Sequence, residues 1–180
     1  MIIENDRIYR HSTLRINYTT YDGRREQDIV NPRTRADVMI LSAEDKDSND
    51  FHPYWYARVI DIFHARVRHI GPASRSTDPK RMEFLFIRWF GRDLKERGGW
   101  KRQQLHRVRF VHEDDPSPFG FLDPLEVVRA VHLIPAFAFQ TTTLLMQPSH
   151  YARRFQSDDE DWLYFYIGMY VNDHTVLPWP

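Results

Sequence analysis

Residues 51–92 constrain the fold of this chain more than any other stretch, and read FHPYWYARVIDIFHARVRHIGPASRSTDPKRMEFLFIRWFGR. Two runs rich in aromatic and β-branched residues, Tyr54–Val67 and Met82–Phe90, flank a loop with Gly71-Pro72 and Asp78-Pro79. Runs of this composition bounded by turn residues read as β-strands. Both are apolar on either side, which fits central strands buried on two faces and not a solvated edge. Strict alternation puts Trp55, Ala57, Val59, Asp61 and Phe63 on one face of the first strand. Tyr54, Tyr56, Arg58, Ile60, Ile62 and His64 take the other. In the second strand Phe84, Phe86, Arg88 and Phe90 oppose Leu85, Ile87 and Trp89. Asp61, close to Arg58 and facing Arg88 in the partner run, is expected to form a structural ion pair there.

The flanking chain extends this β pattern. Residues 1–10 read as a leader into the first strand. Thr13–Tyr21 alternates and ends at Asp22-Gly23, a strong two-residue hairpin signal, with Arg24–Val30 returning as an edge strand or loop. Ala36–Ser42 is a short apolar strand, and 43–50 is a charged surface loop. Residues 91–104 form a basic loop centred on Gly98-Gly99, and Leu105–His112 reads as a half-buried strand. Asp123 is placed to cap a helical turn, with Pro124 at its first position and Glu126 at its third. Residues 131–137, VHLIPAF, read as a strand after that turn. Thr141–Met146 is short and apolar, 156–161 is an acidic loop, and Trp162–Val171 is a last aromatic strand or a helix. The expectation is one mainly-β domain over 1–180: a distorted barrel or bent sheet with one or two short helices, its core at 36–137.

Cysteine is absent, which removes disulfides, thiolate nucleophiles and Cys-based metal sites. The nine His show no metal-binding spacing, and no phosphate loop, dinucleotide fingerprint or nucleophile elbow occurs. No cofactor is expected. No window approaches a membrane span, and the N-terminus lacks a secretory leader, leaving a nuclear or cytoplasmic location.

Net charge is zero but unevenly laid out. Residues 51–110 hold 14 Lys and Arg against 5 Asp and Glu, whereas 111–180 hold 3 against 10. A basic segment of this kind points to an anionic partner, unless the acidic third folds against it. Arg88, Arg92, Lys95, Arg97, Lys101, Arg102, Arg107 and Arg109, with Trp89 and Trp100 among them, suit backbone contact with nucleic acid. An ordinary solvated face is the alternative. Tyr54, Tyr56 and Trp89, with Trp55 and Phe90 nearby, are candidates for an aromatic cage around a methylated ammonium. Core packing is the competing role.

Several blocks resemble an uncharacterised module of proteins encoded by basidiomycete transposons of the Plavaka and KDZ kind. They are NYTTYDGRREQD (17–28), NPRTRADVM (31–39), HPYWYARVIDIFHARV (52–67), EFLFIRWFGRD (83–93), FGFLDPLEVVRAVHLIPAF (119–137) and DWLYFYIGMYV (161–171). The segment after Asn172 departs from that group. The layout over 36–137 is similar to the bromo-adjacent homology (BAH) module. It runs from Asp37-Val38 through Y-x-A-R-V-x-D-I-F and W-F-x-R to DPLEVV and VHLIPAF. That resemblance implies a distorted β-barrel that binds nucleosomes, histone tails or other proteins, on a fold-level analogy.

Three functions follow from these observations. The first is a non-enzymatic recognition module for chromatin, DNA or a protein partner in a transposon-associated setting. The second is a structural or self-association domain, and the third, with least in its favour, a nuclease built from distant carboxylates.

Overall fold

The computed structural model describes residues 1–168 apart from 21, 46, 48–50, 72–75, 77, 96, 97, 99–103 and 154–158. It is mainly β, and its helical elements are short 3-10 turns. In chain order the strands are β1 (Ile2–His11), β2 (Leu14–Thr19), β3 (Arg25–Val30), β4 (Asp37–Leu41), β5 (Tyr54–Arg68) and β6 (Lys80–Arg92). They continue as β7 (Arg107–Phe110), β8 (Phe119–Leu122), β9 (Val127–Ala130), β10 (His132–Pro135), β11 (Thr141–Thr142), β12 (Asp161–Trp162) and β13 (Phe165–Gly168).

Nine of these strands form one antiparallel sheet that stays open, so the bent-sheet form of the expected fold is the one found. Its path runs β10-β13-β7-β6-β5-β4-β9, and it divides along the two long central strands. The first half of β5 pairs with β4, and its second half pairs with β1. The end of β6 pairs with β7, while Leu85–Arg88 pairs with β8. Two long strands thus carry different neighbours at either end, which bends the sheet into a body and an arm. β2 and β3 form a separate hairpin, with Gly23 in the left-handed region at φ 79° that its turn requires.

A bulge in β5 corrects the simple alternation. Val59 faces Ile87 and Asp61 faces Phe86, leaving Ile60 as the extra residue. An inserted residue reverses which face later side chains occupy. Ala57, Val59 and Ile62 therefore share one face, and Tyr56, Arg58, Asp61 and Phe63 lie on the other.

Each face covers a core of its own. On the first, Ala57, Val59, Ile62, Leu85 and Ile87 pack with Val38, Ile40, Leu122 and Val127, under Ile16 and Val30 of the hairpin. On the second, Tyr56 and Phe90 pack with Met39, Val108, Phe110, Leu133, Leu145, Phe165 and Ile167. The core thus reaches beyond 36–137 at both ends, because Ile16, Val30, Leu145, Phe165 and Ile167 fill the two faces. The N-terminal residues, read as a leader, form strand β1. Asp123 caps the 3-10 turn Pro124–Glu126 by accepting from the Leu125 amide at 2.9 Å. The last aromatic strand is β13, and the expected residues 169–171 lie outside those described. No helix among the described residues is long and apolar enough to cross a membrane.

Candidate binding site

The residues expected to cage an ammonium do not converge. Tyr56 is 5% exposed within the second core, and Tyr54 packs against that same core. Trp89 lies on the opposite face, edge-on to Trp55 with ring centres 6.0 Å apart. Gly120 leaves room for its indole, since a Cβ there would come within 3.1 Å of Trp89 Nε1.

The basic set is divided in the same way. Arg88 is only 3% exposed and donates to Asp161, so it belongs to the interior and not to a phosphate-facing surface. Arg92 pairs with Glu44 at 3.3 Å. Arg107 pairs with Asp93 and lies over the rings of Tyr164 and Phe139, at 4.1 and 4.6 Å. Those carboxylates lie outside the strands of their arginines, in the loop at Glu44, just past β6 at Asp93 and on β12 at Asp161, and meet them through tertiary packing. Only Asp161 among these partners comes from the acidic third. Lys95 and Arg109 are exposed. Arg97, Lys101, Arg102 and Trp100 lie outside the described residues.

A polar cavity lies beside the bulge, with Arg58, Val59 and Ile60 in its lining. Arg58 and Arg88 stand opposite each other on β5 and β6, a repulsive pairing unless each is neutralised. Asp37, next to Arg58 on β4, accepts from Arg58 Nε at 2.7 Å and Nη2 at 3.0 Å. Asp161 Oδ2 accepts at 2.9 Å from both Arg88 Nη1 and Arg153 Nη2. Asp61, expected to pair with Arg58 or Arg88, instead pairs with Arg10 of β1. Both strand arginines lie over the Phe110 ring, the Arg88 guanidinium carbon 3.9 Å and that of Arg58 5.0 Å from its centre. Burial opposes the charge on both. Asp37 outweighs it and holds Arg58 above its ordinary pKa, whereas Arg88 sits below its own despite Asp161. The cavity encloses about 250 Å³, and its lining includes Arg33, Arg58, Arg88 and Arg153 against Asp37 and Asp161.

Beyond the cavity, the second face continues along the arm as a row of aromatic rings. Phe86 stacks on Phe119 at 5.8 Å and meets Phe121 at 5.5 Å. Phe84 meets Phe121 at 5.7 Å and Phe63 at 5.5 Å. Phe121 is 71% exposed, and Met82 and Ile8 extend the surface. The opposite face of the arm carries Glu83, Arg66 and the stacked rings of Tyr9, His11 and His64. Apolar side chains thus reach the surface on this side of the half-sheet, beside the Arg10–Asp61 ion pair.

These phenylalanines were visible in the sequence as F-x-F doublets at 84–86 and 119–121, the spacing that puts both rings on one face of a strand. Arg153 carried no such signal. Comparison with protein-family models, curated proteins and solved structures finds no match to this chain.

Proposed function

We propose that this chain is a non-enzymatic recognition module that docks a segment of a partner protein on the aromatic face of its arm. The observation that carries the reading is the row Phe63, Phe84, Phe86, Phe119 and Phe121 on one sheet face, four of them half-buried and Phe121 71% exposed. Aromatic side chains left in water together cost hydration free energy that a partner's apolar side chains recover. The similarity in layout to BAH modules, which bind proteins and nucleosomes, supports a recognition role, and the transposon-module resemblance supplies a setting.

The test is selection of random linear peptides displayed against the immobilised chain. The expected consensus has two apolar residues spaced to meet the phenylalanines. Phe121→Ser weakens such peptides by about 30-fold, the loss of one aromatic anchor worth about 2 kcal/mol. Equal binding to Phe121→Ser, or no consensus, refutes the reading.

A further inference from the structure

We propose that the cavity between β4, β5, β6 and the turn at 149–153 is a binding site for a tetrahedral oxyanion of the phosphate-monoester or sulfate class. The inference stands apart from the aromatic face and does not depend on it.

It starts from a donor imbalance. A guanidinium has five N–H donors and no acceptor. Arg88 Nε and Arg153 Nε and Nη1 are buried with no hydrogen-bond partner. Their residues are among the least exposed charged groups in the molecule, at 3% and 5%. The bonds these arginines do make go elsewhere: Asp161 Oδ2 takes one from each arginine, Met146 O takes one from Arg153, and Leu145 O lies 3.5 Å from Arg88 Nη2. Phe110 eases the charge of Arg88 from above, but a ring face accepts no in-plane N–H. The large majority of buried side-chain donors in folded proteins are satisfied, and three such donors on two adjoining arginines point to an acceptor that belongs in the site.

Charge and shape say which acceptor. Arg58 and Asp37 offset each other in the cavity lining, whereas Arg88 and Arg153 share the one charge of Asp161, leaving an excess of positive charge among these residues. The arginines come from a strand, its neighbour, a turn and the 31–35 loop, and they approach from different directions. A tetrahedral oxyanion presents acceptors in as many directions, whereas a carboxylate presents them in one plane. About 250 Å³ admits such an anion with the first atoms of a group carrying it. Arg33 and Thr34, exposed at the mouth, leave a way in for a phosphorylated side chain as well as for the free ion.

The experiment is thermal unfolding of the whole chain titrated with inorganic phosphate, sulfate, phosphoserine, acetate or chloride at matched ionic strength. Phosphate and sulfate also stabilise proteins by exclusion, an effect that grows with concentration without saturating. The expected result is a saturable rise on top of that trend, about 5 °C or more when ligand exceeds Kd a hundredfold, absent with acetate and chloride. Saturation by phosphoserine as well identifies an ester-accepting site, and saturation by the inorganic ions alone identifies a free-ion site. Arg153→Leu removes two of the three unpaired donors, leaves Arg88 to pair with Asp161, and abolishes the saturable part. If that variant does not fold, Arg33→Ser at the exposed mouth carries the test, with an expected tenfold weaker Kd. A response no larger than that to chloride, or a wild-type response in either variant, overturns the proposal.

Discussion

Replacing Asp161 by Asn is the sharpest probe of the interior just described. The change keeps the shape of the side chain and removes one negative charge. That charge serves two guanidiniums at once, each 2.9 Å from the same oxygen, in a residue only 2% exposed. Removing one partner of a buried ion pair costs about 3–5 kcal/mol, because the remaining charge is neither paired nor hydrated. Here two such charges remain, so the upper part of that range applies. For a chain of this size the urea m-value is about 2 kcal/mol/M, so the unfolding midpoint falls by roughly 2 M. The assay is urea unfolding in a buffer free of phosphate and sulfate. A companion variant, Arg88→Met with Arg153→Met and Asp161→Leu, removes all three charges and lies within about 1 kcal/mol of wild type or above it, as replaced ion clusters do. A fall of less than 0.5 M for Asp161→Asn, about 1 kcal/mol by the same m-value, refutes the reasoning. So does a triple variant as unstable as the single one.

Three further outcomes follow from the same geometry. Burial, reinforced by Arg92 and His106, holds His52 down to about 4. Since the unfolded imidazole takes up its proton near 6.5, stability is full above that pH. It then falls by on the order of 3 kcal/mol as pH drops from 6.5 to 4, and His52→Gln flattens the profile measured by unfolding at each pH. Ile87, fully buried, and Phe121, largely exposed, respond oppositely to truncation. Ile87→Ala loses about 2–5 kcal/mol in chemical unfolding, and Phe121→Ser stays within about 0.5 kcal/mol of wild type. Because Arg88 is spent on Asp161, Arg88→Met leaves the salt dependence of any duplex-DNA affinity unchanged in fluorescence anisotropy. A slope change of about one would place it on a phosphate.

What the sequence revealed follows the range of the forces involved. The central strands, the Asp22-Gly23 hairpin and the Asp123-Pro124 turn depend on neighbours a few residues apart, and each appears where its local signal puts it. β1 was hidden because Glu4, Asp6 and Arg7 give it the composition of a leader; it is a strand because β5 offers it an edge. The bulge at Ile60 left no local mark, since Val-Ile-Asp-Ile reads as unbroken alternation, yet it reassigns Asp61 and Phe63 to the other face. The partners of the arginines are further still. Arg88 and Asp161 are 73 residues apart, and they meet only because the β11–β12 hairpin packs against β6 of the large sheet. A basic run counted along the chain therefore overstated the positive charge left on the surface.

The central claim is that the outward aromatic face of the arm is a recognition surface, and calorimetric affinity for a display-selected peptide tests it most directly. Wild type, Phe121→Ser on the aromatic face and Arg66→Ser on the opposite face are compared. The account predicts about 30-fold weaker binding for Phe121→Ser and an unchanged Kd for Arg66→Ser. Equal affinities for all three, or a loss confined to Arg66→Ser, would contradict it.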